Sequence, residues 1–211
     1  MSDYSHIIPS MGKPTEQRKA EIIQSTLELA ARQGVAKVTT LAIAEEVGIA
    51  HATVFRHFKT REAIFSASLS WIVEIMFAEL EPVFTSTEPA DVRLEDLIFT
   101  QLKFVSEHRG LPRLLFSDRL HLESEELKSI VKNAMNKFTN RIAKLIDEGK
   151  ETGVFSKDVN TDHTSKYLIA LFQGLMMRWS IFDFEFQIEN ESAYLWKFYS
   201  NALKPHQDSL A

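Results

Sequence analysis

The chain has 211 residues, 45% hydrophobic and 25% charged, with seven Gly, six Pro and no Cys. This length allows one to two domains; the balance is that of a soluble globular protein, and the missing cysteine excludes disulfide scaffolds, thiolate metal sites and cysteine nucleophiles. The net charge of −5 argues against a general nucleic-acid coat, yet residues 1–65 hold eight Lys/Arg against seven Asp/Glu, so the acidity lies in the remainder.

Residues 1–14 read as an N-terminal arm. They show no basic start followed by an apolar run. The longest apolar run, Tyr167 to Phe182, is broken by Gln173 and Arg178 and is too short for a bilayer. A cytoplasmic protein without a membrane partner is expected.

Helical punctuation then runs from end to end. Thr15 is the expected cap of a first helix, with Ala20, Ile23, Leu27 and Ala30 at helical spacing and Gly34 as its stop. Thr39 or Thr40 opens a short second helix that Gly48 closes, and a third spans about His51 to Phe58. A long fourth helix follows Lys59-Thr60, with Ile64, Ser68, Trp71, Ile75 and Ala78 on one stripe, and is expected to end before Pro82. The polar stretch 85–91 reads as a linker. A fifth helix runs to about His108, stopped by Gly110 and Pro112, and a short one to about Leu120. Ser124 caps a seventh helix from Glu125 to about Glu148, ended by Gly149 and Gly153. Asp162 is the expected cap of the eighth, to about Phe182, and Asn190 of the ninth, to about Leu203. The predicted fold is all-α, with about nine helices.

The segment 38–58 carries the chemistry. Ile43, Ala44 and Val47 are expected to face inward on the second helix, and Val54, Phe55 and Phe58 on the third. Ala44 is small where two helices cross, Gly48 suits a left-handed exit, and Ile49 plugs the corner. This is helix-turn-helix patterning, whose second helix can enter a groove ~12 Å wide. Outward it offers Ala50, His51, Ala52, Thr53 and Arg56, small or polar residues that let backbone approach DNA closely. Helix-end N–H groups and threonine hydroxyls suit phosphate oxygens. Lys59 and Arg61 follow, where cations can hold the flanking strand. His51, on the first turn of the third helix, is the expected base contact.

The order of these features resembles the DNA-binding domain of the TetR family of transcription regulators over residues 15–76. The similarity lies in the first helix ending at Gly34, then Val38-Thr-Thr with Ile43-Ala44, then Gly48-Ile49, Thr53-Val-Phe-Arg-His-Phe58, and Arg61-Glu62 leading into a long helix. Four positions depart from the usual pattern: Ala50 stands for Ser, Ala52 for Gly, Phe55 for a phosphate-binding Tyr, and Arg61 for Lys. Each lost hydroxyl contact is worth ~1 kcal/mol. The resemblance implies a DNA-binding set of Thr39, Thr40, Ala50, His51, Ala52, Thr53, Phe55, Arg56, His57, Lys59 and Arg61, acting on double-stranded DNA at a palindromic operator.

It also implies that residues 77–211 form a ligand-binding and dimerisation domain, in which the last two long helices pair with their copies. The expected homodimer interface is Leu168, Phe172, Leu175, Met176, Trp179, Trp196 and Tyr199. Trp71, Phe99, Phe116, Phe138, Phe172 and Trp179 are the aromatics that could line a pocket for a small-molecule effector. The expected function is a ligand-responsive repressor, with a nucleoid or division-linked DNA binder as an alternative. No cofactor, metal or enzymatic role is expected. The rival reading, a metal-dependent helical enzyme, rests on Asp118, His121 and Glu123 with His108 and His163, but lacks a second ligand pair at fixed spacing.

Overall fold

In the computed structural model the described residues are 15–204, so the N-terminal arm and residues 205–211 lie outside them. They form nine α-helices and no strand: α1 (Thr15–Gln33), α2 (Thr40–Val47), α3 (His51–His57), α4 (Arg61–Thr85), α5 (Ala90–Glu107), α6 (Gly110–Leu115), α7 (Glu125–Glu151), α8 (Thr161–Ile181) and α9 (Ser192–Asn201). Three short turns, Val35–Lys37, Arg119–Glu123 and Ile188–Glu191, link them.

Several boundaries differ from expectation. Helix α4 continues through Pro82 for three residues, and the Pro82 carbonyl accepts from Ser86 N at 3.0 Å. Pro82 cannot donate to the Ala78 carbonyl, so the helix gives up one bond there and ends within a turn. The linker therefore shrinks to 86–89. Gly110 and Pro112 start α6 rather than merely ending α5, and the chain to Leu120 is split by a π-turn at Arg119–Glu123. Helix α7 runs past Gly149, where a Cβ would lie 2.1 Å from the Phe155 ring. Asn160, not Asp162, caps α8 by accepting from His163 N at 3.0 Å, while Asp162 pairs with Lys166. Asn190 sits in a short turn and Glu191 precedes α9 without capping it through its side chain.

Two apolar clusters organise the chain. One gathers Ile22, Ala30, Val38, Ile43, Val54 and Phe65 with Leu69 and Ile72; the other contains Leu80, Leu94, Leu97, Phe138, Phe172 and Trp179. Helix α4 passes from the first to the second between Ile72 and Phe77. It is long and apolar enough to span a membrane by composition alone, but Ile64, Phe65, Leu69, Ile72, Phe77 and Leu80 are buried in these cores. The first core is not confined to the N-terminal helices: Phe104, Leu111, Leu114, Leu120 and Leu127 enter it from α5, α6, the π-turn and α7. The α1–α6 contact is tight, since a Cβ on Gly110 would lie 2.3 Å from the Leu27 carbonyl oxygen.

Candidate nucleic-acid interface

The local sequence builds the α2–α3 corner. Thr39 caps α2, its Oγ1 accepting from Ala42 N at 3.1 Å. Gly48 has φ 71° and ψ 40°. A Cβ there would meet no neighbour, so glycine is favoured by the left-handed backbone alone, which costs other residues roughly 1–2 kcal/mol. Gly48 N donates to Glu45 O and Ile49 N to Ala44 O, closing the helix end. Ile43, Ala44 and Val54 are fully buried between the two helices and α1, and Phe58 seals the exit. Arg32 on α1 pairs with Glu46 on α2 at 2.6 Å, fastening the corner from outside. Thr60 caps α4 by accepting from Ala63 N.

The outer face of α3 carries Ala50, His51, Ala52, Phe55 and Arg56, all exposed, with Thr53 and His57 half-buried. Thr40 Oγ1 lies 2.8 Å from His51 Nε2, and the His51 ring stands edge-on to Phe55, centroids 5.0 Å apart. The imidazole is thus held from both sides before any contact is made. Phe55 departs from the inward position expected of it: it is 40% exposed, because the corner is already filled by Val54 and Phe58. Arg56 and Lys59 are exposed and, among the described residues, make no ion pair. Leu41, 52% exposed on the first turn of α2, is a large apolar surface side chain that periodicity did not single out.

Arg61 is placed differently from expectation. Its Nη2 donates to the Val35 and Ala36 carbonyls at 2.8 and 3.2 Å, and its guanidinium lies over Phe65. Desolvation, then nearby Arg119, lowers its pKa. It ties α4 to the turn before α2 instead of facing outward. Arg119 covers Phe65 as well and bonds Glu62 at 2.7 Å, joining the π-turn to the start of α4. Neither link has a local sequence signal.

In the second core a small apolar cavity of about 80 Å³ lies between α4, α5, α6, α7 and α8, bordered by Phe138, Phe172, Met135 and Gln101 among others. Of the six aromatics expected at a pocket, only Phe138 and Phe172 reach it. Trp71 instead borders an open cleft between α1 and the α5–α6 junction, Phe99 is 51% exposed, and Phe116 packs half-buried on the core. Trp179 is fully enclosed, its Nε1 donating to Phe186 O at 2.7 Å.

The residues expected at a subunit contact are mostly turned inward. Leu168, Phe172, Met176 and Trp179 are consumed by the chain's own core on the side of α8 against which α7 packs, and Tyr199 is buried where α9 packs on α5. Leu175 and Trp196 remain half-buried. The face that α8 leaves open is Tyr167, Ala170, Gly174, Met177 and Ile181, at alternating spacings of three and four; on α9, Tyr194 and Phe198 are exposed. The acid and imidazole groups of the rival metal reading do not assemble: His121 Nε2 engages Leu115 O, His108 Nδ1 engages Phe104 O, and Glu123 meets Arg119. Among the described residues no group of three potential ligands comes together.

An all-helical chain with a helix-turn-helix at one end and a helical body behind it is a DNA-binding regulator by architecture. The model of bacterial regulatory proteins of the tetR family matches residues 22–68, and that of the tetracyclin repressor-like C-terminal domain matches residues 87–179. The chain belongs to the TetR family. It is 25% identical over 179 residues to the nucleoid occlusion factor SlmA of Aliivibrio fischeri, covering 84% of this chain and 91% of that protein. A transcriptional regulator from Saccharomonospora viridis solved with choline superposes with a TM-score of 0.80 at 22% identity, covering 90% and 100%. FadR from Bacillus subtilis in complex with stearoyl-CoA gives 0.73 at 16% identity, covering 87% and 98%.

Proposed function

We propose that this TetR-family regulator is a homodimeric, ligand-responsive repressor that reads a palindromic operator through α3, with residues 15–76 as the DNA-binding domain and the rest as effector and dimer domain. The observation that carries the reading is the prearranged face of α3: His51 pinned by Thr40 at 2.8 Å, flanked by small Ala50 and Ala52, with unpaired Arg56 and Lys59 beside it. Prepositioned donors bind without first losing rotamer freedom. Thr39, Thr53, His57 and Phe55 border the same surface. Arg61 acts from behind it, by holding the Val35–Ala36 backbone.

Dimerisation is supported by the open stripe on α8 and α9, where Tyr167, Ile181, Tyr194 and Phe198 are each more than 60% exposed. Large apolar side chains left exposed on the two C-terminal helices favour a partner. A two-fold pair would set the reading helices about one DNA turn apart, ~34 Å. The apolar cavity behind Phe138 and Phe172 supports a small-molecule effector, as do the ligands held by FadR and the Saccharomonospora protein.

The test is a gel shift on DNA selected from a random pool. Arg56→Ala with Lys59→Ala should weaken binding and reduce its salt dependence, since fewer counterions are released; unchanged affinity and slope would refute the contact set. A second reading, a nucleoid-level DNA binder, is favoured by the likeness to SlmA over most of the chain. Genome-wide binding separates them: one or a few promoter sites fit the repressor, many dispersed sites the alternative.

A further inference from the structure

A side chain bordering the cavity in the second core has an unspent hydrogen-bond acceptor. Gln101 lies on the buried side of α5, in register with Leu97, Ile98 and Val105, and is 3% exposed. Its Oε1 accepts no hydrogen bond among the described residues, although a leucine would fill that position without the loss. Buried polar atoms are almost always paired, so an unpaired one on a side chain that borders a cavity points to a ligand group that could complete it once the amide turns toward the space.

The remaining wall defines the rest of the ligand. No charged side chain borders the cavity, so a carboxylate or phosphate would lose its hydration without a cation, and an ammonium without an anion. The other polar group, Gln173, has its Nε2 turned to Met135 Sδ at 3.6 Å. Phe138 and Phe172 present parallel rings, 6.2 Å between centroids. The volume of about 80 Å³ is below the ~150 Å³ that holds benzene in a comparable dry void. However, Met76, Met135 and Met176 form part of the wall, and thioether chains repack readily.

We infer that the cavity takes an uncharged molecule with an apolar, ring-sized body and one O–H or N–H donor, which it presents to Gln101 Oε1. The inference rests on the reading of this cavity as the effector site. Gln101 is then the specificity-determining residue, and the methionines set how large a body is admitted.

Phenol, anisole and benzoate test it, because they share a ring and differ in donor and charge. By calorimetry on the full chain, phenol should bind at least about tenfold tighter than anisole, and benzoate should not bind. Gln101→Met, which conserves volume, should abolish phenol's advantage while anisole still binds. Equal binding of phenol and anisole, benzoate binding as tightly as phenol, or an advantage that survives Gln101→Met would overturn the inference. So would no phenol binding at concentrations up to about 10 mM, where a ligand this small should register. If Gln101→Met does not fold, the phenol-to-anisole ratio in the unaltered protein decides alone. A gel shift on selected DNA without probe is read separately: failure there sinks the regulator reading and leaves the ligand selectivity intact. Phenol that binds selectively yet leaves DNA affinity unchanged removes the effector role.

Discussion

Replacing Gly110 by Ala puts a methyl carbon 2.3 Å from the Leu27 carbonyl oxygen, 2.9 Å from its carbonyl carbon and 3.1 Å from its Cα. All three are backbone atoms of α1, so no side-chain rotation relieves the clash. Ordinary contact begins near 3.4 Å, so α1 and α6 must separate by about 1 Å. Close-packed interiors resist such a shift, and overpacking of this kind costs ~1–3 kcal/mol. Alanine recovers up to ~1 kcal/mol in a helix interior, less at a first-turn position such as this. A net loss of about 1–2 kcal/mol corresponds to a midpoint lowered by roughly 2–8 °C at this chain length. Thermal unfolding followed by circular dichroism measures it. Because α1 also braces α2 and α3, a gel shift on the folded variant should show weaker DNA binding. An unchanged midpoint would mean that the two helices do not approach so closely, and the proposed link between body and head would fall with it.

Thr40→Val keeps the shape and removes the hydroxyl that holds His51. It should cost about 1 kcal/mol of operator binding, roughly fivefold, with stability unchanged; a titration on selected DNA checks both. Ile181→Lys with Phe198→Lys alters only exposed side chains of the single chain, so sedimentation should show a folded monomer where the parent is expected to sediment as a dimer, and a surviving dimer would refute the α8–α9 contact. Glu81 bonds Arg141 across α4 and α7, and that bond, more than any other influence, lowers its pKa. Its contribution is therefore present above the ordinary carboxylate range and lost as pH falls through the lowered value. Urea midpoints measured from neutral to acid should fall less steeply in Glu81→Gln than in the parent.

The parts of the site that could be read from the chain are those specified locally. Thr39 as a cap, Gly48 as a left-handed exit and the burial of Ile43, Ala44 and Val54 each follow from a few adjacent residues, and the α2–α3 corner formed where they indicated. The failures share a cause. Arg61 has a cationic side chain in the expected place, but its direction is set by the Val35 and Ala36 carbonyls, some 25 residues earlier. On α8 nearly every side is apolar, so periodicity could not separate the core-facing Leu168, Phe172, Met176 and Trp179 from the open Tyr167, Met177 and Ile181. Only the packing of α7 makes that choice. Gln101 did carry a signal: a glutamine in register with Leu97, Ile98 and Val105 on an amphipathic helix is a polar residue on the core face.

On the proposed ligand-responsive reading, helix α6 offers a short route from the cavity to the DNA-binding face. Leu111 and Leu115 border the cavity, yet Leu111 and Leu114 also belong to the core that supports the helix-turn-helix, and Gly110 touches the α1 backbone. Beyond α6, Arg119 bonds Glu62 and lies with Arg61 over Phe65, while Arg61 holds the residues just before Thr39. A six-residue helix pressed at one side by an incoming ligand has little freedom to absorb the strain, because its neighbours are backbone on one side and charge-assisted bonds on the other. Displacement of α6 would then press on α1, or on the π-turn that holds the Arg119–Glu62 bond, and either would shift the frame that positions α3. Such coupling amounts to the difference in ligand affinity between two positions of α6. A ligand indifferent to the position of Leu111 and Leu115 would bind and change nothing.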